Sequence, residues 1–242
     1  MTRLDEHRRA ELVTTLGAVR ARIADACVAA GRDPHSVALV AVTKTFPASD
    51  VAILVRLGVT DIGENRDQEA AAKVVETAAL VGDVPAPRWH FVGRLQSRKC
   101  RSVASYASAV HSVDRVELVG RLADGVAAAG RDGLEIFVQV SMDDDPDRGG
   151  ALPDRVPEIA AAVAARPELR LRGVMAIPPL DSDPDREFAR LAEVSRALRA
   201  EYPEADAISA GMTQDLEAAV RHGSTHVRVG TALLGRREPV FG

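Results

Sequence analysis

Aromatic side chains are scarce in this chain: five Phe, two Tyr and one Trp among 242 residues. Ala, Val and Leu must therefore build the core. The exposed ring platforms on which single-stranded nucleic acid stacks have nothing to be made from. Cysteine is almost missing as well. Cys27 and Cys100 lie far apart in segments of helical pattern and in no paired-cysteine motif, which reads as two reduced, partly buried thiols rather than a disulfide framework. There is no surplus of positive charge: 31 Lys and Arg stand against 35 Asp and Glu, for a net charge of −4, so no global basic surface awaits a polyanion. No stretch comes near the ~18 uncharged apolar residues that a membrane span requires. The opening MTRLDEHRRAELVTTL is charged and helical, unlike a secretory leader. Nucleic-acid and membrane partners are thus not expected, and the cytoplasm is the expected address.

What the chain does have is alternation. Leu12, Leu16, Val19 and Ile23 recur at helical spacing in a first segment of about 4–30, with Gly31 as its C-cap and Pro34 beyond. VALVAVTKT (37–45) follows, a continuous apolar run of strand length such as a strand buried on both faces requires. Helical patterns at 48–57, 67–80, 97–106, 115–129, 153–165, 185–200 and 213–222 then alternate with strand patterns at 61–65, 89–93, 109–114, 135–142, 169–177, 206–212 and 225–235. Strand–helix alternation implies right-handed crossovers and a parallel sheet. Eight such units predict an α/β fold of the (β/α)8 TIM-barrel type over 1–242, a single domain with an extra N-terminal helix. No GxGxxG follows the first strand, which weakens a dinucleotide-binding sheet. GDVPAPR (82–88) and DDDPDRGG (143–150) read as loops. The second loosely resembles a calcium loop but lacks its sixth-position Gly and has Asp154 in place of the closing Glu.

In such a barrel the chemistry gathers where strands end. Lys44 closes the first strand. In an apolar setting a lysine keeps a neutral amine that attacks an aldehyde; otherwise it is a strand-mouth lysine whose ammonium reaches water. The seventh strand runs into SAGMT (209–213), where Gly211 permits close backbone approach and Thr213 is placed to cap a helix starting there. The eighth closes on VRVGT (227–231), offering Gly230 and Thr231. Barrels often hold phosphate after strands 7 and 8. Strands 1 and 8 are neighbours in a closed barrel, so Lys44 and this cradle form one site. Arg228 lies two residues before Gly230, on the same face of its strand; it points either at a ligand or into an ion pair within the barrel.

These pieces, in order, resemble the family of pyridoxal 5'-phosphate (PLP) homeostasis proteins, the YggS/PROSC-type PLP-binding proteins, which are similar to the barrel domain of alanine racemase. The resemblance rests on AVTKTFPAS (41–49), IGENRDQE (62–69), WHFVGRLQSRK (89–99), GVMAI (173–177), SAGMTQDLEAAV (209–220) and GSTHVRVGTALLG (223–235), and spans about 4–237. It implies a Schiff base between PLP and Lys44. It implies a phosphate region of Ser209, Gly211, Thr213, Gly230 and Thr231, with Arg228 facing the pyridine nitrogen and Asn65 and His90 near the ring. A cation at that nitrogen disfavours its protonation and makes the ring a weaker electron sink. Arg66, Arg94, Arg148 and Ala210 depart from residues associated with the family and bear on the pocket rim.

The resemblance implies buffering and delivery of PLP inside the cell, with PLP-dependent apo-enzymes as receivers and without strong catalysis. The alternative is a PLP-dependent amino-acid racemase. Racemisation needs an acid or base on each face of the cofactor, and in alanine racemase one is a tyrosine from a further β-domain. Here the sequence runs only to Gly242, and Tyr106 and Tyr202 fall in helices or at their ends. A partner-binding scaffold is a third possibility. No unpaired apolar face is legible, so a monomer is expected. His222 and His226 straddle Gly223, so they do not share a helix face as a metal pair would.

Overall fold

The eight apolar runs form eight parallel strands that close into a barrel in chain order, β1 next to β2 and so on round to β8, which pairs with β1. The computed structural model describes residues 3–143, 149–179 and 181–235. The strands are β1 (Ala38–Val42), β2 (Asp61–Glu64), β3 (Arg88–Phe91), β4 (Ala109–Val113), β5 (Leu134–Gln139), β6 (Leu169–Met175), β7 (Ala207–Ser209) and β8 (His226–Val229). Helix α1 (Arg3–Ala29) precedes the barrel. The crossovers are α2 (Ala48–Arg56), α3 (Asp67–Val81), α4 (Cys100–Tyr106), α5 (Val116–Ala128), α6 (Val156–Ala164), α7 (Pro184–Glu201) and α8 (Leu216–Arg221), and α9 (Thr231–Leu234) follows β8. Gly31 takes a left-handed φ of 67°, as a residue just past a helix end often does. No helix among the described residues is long and apolar enough to cross a membrane.

Side-chain alternation divides each strand between two cores. Outward residues such as Ala41, Ile62, Trp89, Val227 and Val229 pack under α1 and α2. Inward, Ala109, Phe137, Met175 and Ala207 form a small apolar plug. The His111 ring stacks on Phe137 with centroids 4.2 Å apart. Histidine supplies much of the flat interior surface that a chain so poor in aromatics lacks.

Three of the boundaries that differ from the sequence reading bear on the barrel mouth. The first strand stops at Val42, so Lys44 lies in a turn, and Thr45 beside it has a left-handed φ of 68°. The helix expected from Thr213 begins at Leu216. The long strand expected at 225–235 is a four-residue strand followed by a short helix, because the chain turns at Gly230.

Candidate functional site

The mouth of the barrel is a contiguous arc. Arg228 N–H donates to the Gly211 carbonyl, joining the end of β7 to β8. A Cβ on Gly230 would come within 3.1 Å of the Val42 carbonyl, so the turn after β8 lies against the end of β1. Thr43 N–H donates to the Gly63 carbonyl, carrying the arc to β2 and Asn65. A Cβ on Gly93 would meet the Asn65 carbonyl at 2.1 Å, so only glycine lets the chain after β3 cross there. Lys44, Asn65, Ser209, Gly211, Arg228, Gly230 and Thr231 are thereby brought together. Thr213 stands just outside.

Each has its own setting. Lys44 is exposed, so the apolar surroundings expected of it are not supplied by the barrel wall. Asn65 Oδ1 is buried and has no hydrogen-bond partner, an orphaned acceptor at the mouth. Ser209 is fully buried and Thr231 is exposed. Gly211 has φ 93°, and a Cβ there would come 2.6 Å from Ala219 Cβ. Its lack of a side chain serves the packing of α8 rather than ligand approach. Thr213 caps nothing: it sits in a turn where Met212 N–H donates to Asp215 Oδ1 at 2.6 Å, and its carbonyl accepts from Arg22.

Arg228 is the most informative residue. It is 5% exposed. Its Nη1 donates to the Ser209 carbonyl and hydroxyl, both at 2.7 Å, and its Nη2 to the Ala176 carbonyl at 2.9 Å. Each of these acceptors is neutral. The ion pair weighed for it in the sequence is absent: no carboxylate lies within 4.0 Å among the described residues. Desolvation pulls the guanidinium down to about 10, which leaves it charged at neutral pH. A buried cation held only by neutral oxygens is costly unless a ligand faces it.

His90 lies inside the barrel. It is 1% exposed, its Nε2 is 2.8 Å from Asp61 Oδ1 and its Nδ1 is 2.8 Å from His111 Nε2, so both ring nitrogens are engaged inside the barrel. Of the departing residues, Arg66 and Arg94 are exposed at the rim, Ala210 is buried, and Arg148 lies outside the described residues. Arg94 and Arg115 border a cavity of about 720 Å³ that flanks the mouth. His222 bonds Asp185 on α7.

Sequence reasoning missed the support behind Lys44. Lys73 on α3, 4% exposed, donates to Glu64 Oε1 at 2.6 Å, to Glu69 Oε1 at 2.9 Å and to the Thr43 carbonyl at 2.9 Å. Glu69 Oε1 accepts from Thr45 N–H at 2.6 Å. The backbone on either side of Lys44 is thus pinned by one buried cluster. The i,i+4 pair Glu69–Lys73 is visible in the sequence; its burial is not.

A closed parallel barrel with an amine at the mouth of its first strand and a buried cation inside its last defines a ligand-binding (β/α)8 protein. The chain belongs to the pyridoxal phosphate homeostasis proteins, within the family described as alanine racemase, N-terminal domain, whose model matches residues 15–238. It is 49% identical over 243 residues to the pyridoxal phosphate homeostasis protein of Mycobacterium tuberculosis, covering 95% of this chain and 94% of that one. With the protein of the same name from Escherichia coli it shares 39% over 235 residues, covering 94% and 97%. PipY of Synechococcus elongatus PCC7942, solved with PLP bound, is 30% identical with a TM-score of 0.78 over 93% of this chain and 100% of that one.

Proposed function

We propose that this chain binds PLP through a Schiff base at Lys44 and serves PLP homeostasis in the cytoplasm, holding the cofactor as a monomer and releasing it to apo-enzymes, without strong catalysis of its own. The observation that carries this reading is Arg228: a buried guanidinium with no carboxylate within 4.0 Å among the described residues, on the strand that pairs with β1 just before Lys44. PLP, when bound, supplies a reactive aldehyde and an electron-withdrawing ring. Lys44, reached from solvent, would hold that aldehyde as a Schiff base. Arg228 would stand toward the ring nitrogen, where a cation disfavours protonation and would keep the ring a weak electron sink. Asn65 Oδ1, unpartnered in the barrel, accepts from the ligand. Ser209, Gly211, Gly230 and Thr231, with Thr213 at the edge, surround the phosphate end, and His90 acts from below rather than by contact.

The racemase alternative needs a proton donor opposite Lys44. Tyr106 ends α4 and packs in the helical layer, and Tyr202 caps the far end of α7. Neither placement supports racemisation.

The test is visible absorbance of the protein with PLP, borohydride reduction and peptide mapping. The expected result is a yellow protein with the phosphopyridoxyl group on Lys44, and a colourless, unlabelled but folded Lys44→Ala. A protein that stays colourless, or labels elsewhere, would refute the reading.

A further inference from the structure

One hydrogen-bonded line of side chains crosses the barrel interior beneath the mouth. Arg228 Nη1 donates to Ser209 Oγ at 2.7 Å. Ser209 Oγ is 2.8 Å from His111 Nδ1. His111 Nε2 is 2.8 Å from His90 Nδ1. His90 Nε2 is 2.8 Å from Asp61 Oδ1. Four strands (β8, β7, β4 and β3) pass the line to β2. Asp61 is 9% exposed and borders a cavity of about 560 Å³ at the opposite end of the barrel from Lys44, lined also by Ala38, Thr60 and His35.

The line has one satisfied ordering. Arg228 only donates, so Ser209 Oγ accepts from it and its own proton must go to His111 Nδ1. His111 then carries its proton on Nε2 and donates to His90 Nδ1, and His90 donates from Nε2 to the carboxylate. The reverse ordering would leave the Ser209 hydroxyl proton without an acceptor among these groups and would require a doubly protonated His90. The electrostatics agree. Burial drives His111 far below the ordinary histidine value, which keeps its ring neutral. Burial pushes the Asp61 carboxyl up, but hydrogen bonds from His90 and Thr60 outweigh it and hold Asp61 below its ordinary value. The interior thus has a cation at one end, an anion at the other and neutral dipoles aligned between them. Such alignment is cooperative in a low dielectric.

Resting on the PLP reading above, we propose that Asp61, His90 and His111 are positioning residues: they aim Ser209 and Arg228 at the cofactor ring, so that the electronic state of bound PLP is set from the far end of the barrel. Asp61 anchors the far end of the line, while the carboxylate charge that acts on Arg228 through space is that of Asp215.

Two variants and one direct observation test this. Asp61→Asn keeps an acceptor for His90 but removes the charge. His111→Phe keeps the stack on Phe137 and cuts the line. Nitrogen-15 NMR of the ligand-free protein reads the tautomers, with both His90 and His111 expected as Nε2–H. Both variants are expected to change the ratio of the visible to near-ultraviolet bands of the PLP adduct, with borohydride still labelling Lys44. They should also weaken PLP binding about ten-fold, the loss expected for one hydrogen bond to a charged group. If His111→Phe fails to fold, Asp61→Asn carries the test alone. Folded variants with wild-type spectra and affinity would overturn the proposal, as would a doubly protonated His90. A wild-type protein that binds no PLP would sink the functional reading and the proposed target of the line together. The tautomers would then show whether the line itself exists.

Discussion

Replacing Lys73 with methionine should destabilise the barrel mouth in a pH-dependent way. The ammonium serves a buried carboxylate, Glu64, which is 1% exposed, whose Oε1 also accepts from Thr43 Oγ1 at 2.6 Å and whose Oε2 has no partner. Methionine fills similar space and removes the charge. Removing one partner of a buried pair costs about 3–5 kcal/mol when the other stays ionised. Desolvation already holds the Glu64 carboxyl above its ordinary value of 4.5, and the Lys73 hydrogen bond pulls against it. Without Lys73 the carboxyl must rise further. A raised acid binds its proton in the folded chain at a pH where the unfolded chain has released it, so stability falls as pH rises above about 4.5 through the folded value. The variant should therefore lose about 3–5 kcal/mol near pH 8. Near pH 5 the loss should shrink to about 1–2 kcal/mol, that of the hydrogen bond Lys73 gives the Thr43 carbonyl, which keeps its bond from Phe46 N–H. Urea unfolding followed by circular dichroism at both pH values measures this. The Thr43–Thr45 turn would loosen with it, so PLP should label Lys44 more slowly. A loss under about 1 kcal/mol that is the same at both pH values would refute the reasoning.

Gly93→Ala should place a methyl group against the Asn65 carbonyl; chain displacement of that kind costs about 1–3 kcal/mol, and weaker PLP binding read by absorbance titration should accompany it. His226 is pushed down to about 4 by burial and by His90. A histidine depressed in the folded state loses stability as pH falls from about 6.5 toward 4, here by up to about 3 kcal/mol, and His226→Phe should flatten that slope in urea titrations. Arg228→Met exchanges a buried, uncompensated cation for an apolar chain. It should cost under about 2 kcal/mol of stability, yet change the spectrum of bound PLP. A large stability loss with an unchanged spectrum would contradict the role given to Arg228.

The barrel was legible because each strand is a continuous apolar run between helical patterns, and that signal survives without aromatics. It failed where apolar runs cross an element boundary. VRVGTALLG is apolar throughout, and only the turn at Gly230 divides strand from helix. Lys44, Arg228 and the turns after β7 and β8 were legible because a barrel fixes which strand ends share a rim. The interior line was not. His111 and Asp61 each interrupt an apolar strand at an inward position, and that interruption was the available signal. Which inward polar residues meet depends on the stagger between strands, and no single strand encodes it. That His90 shares its ring nitrogens with His111 and Asp61 is hidden in the sequence for the same reason. The helix expected from Thr213 starts later because Asp215 ties a turn ahead of it, a contact that the helical pattern does not show.

The closed ring also bears on the order in which this molecule comes into being. The seam that closes the ring pairs β1, which ends two residues before Lys44, with β8, which carries Arg228, and it is the pairing of greatest sequence separation. Contacts of that kind form late, since loop-closure entropy must be overcome first. A nascent chain that has not yet made β8 carries Lys44 but neither Arg228 nor the turn at Gly230. On the proposed reading, capture of PLP is therefore a property of the finished molecule, and a yellow colour would serve as a readout of completed synthesis.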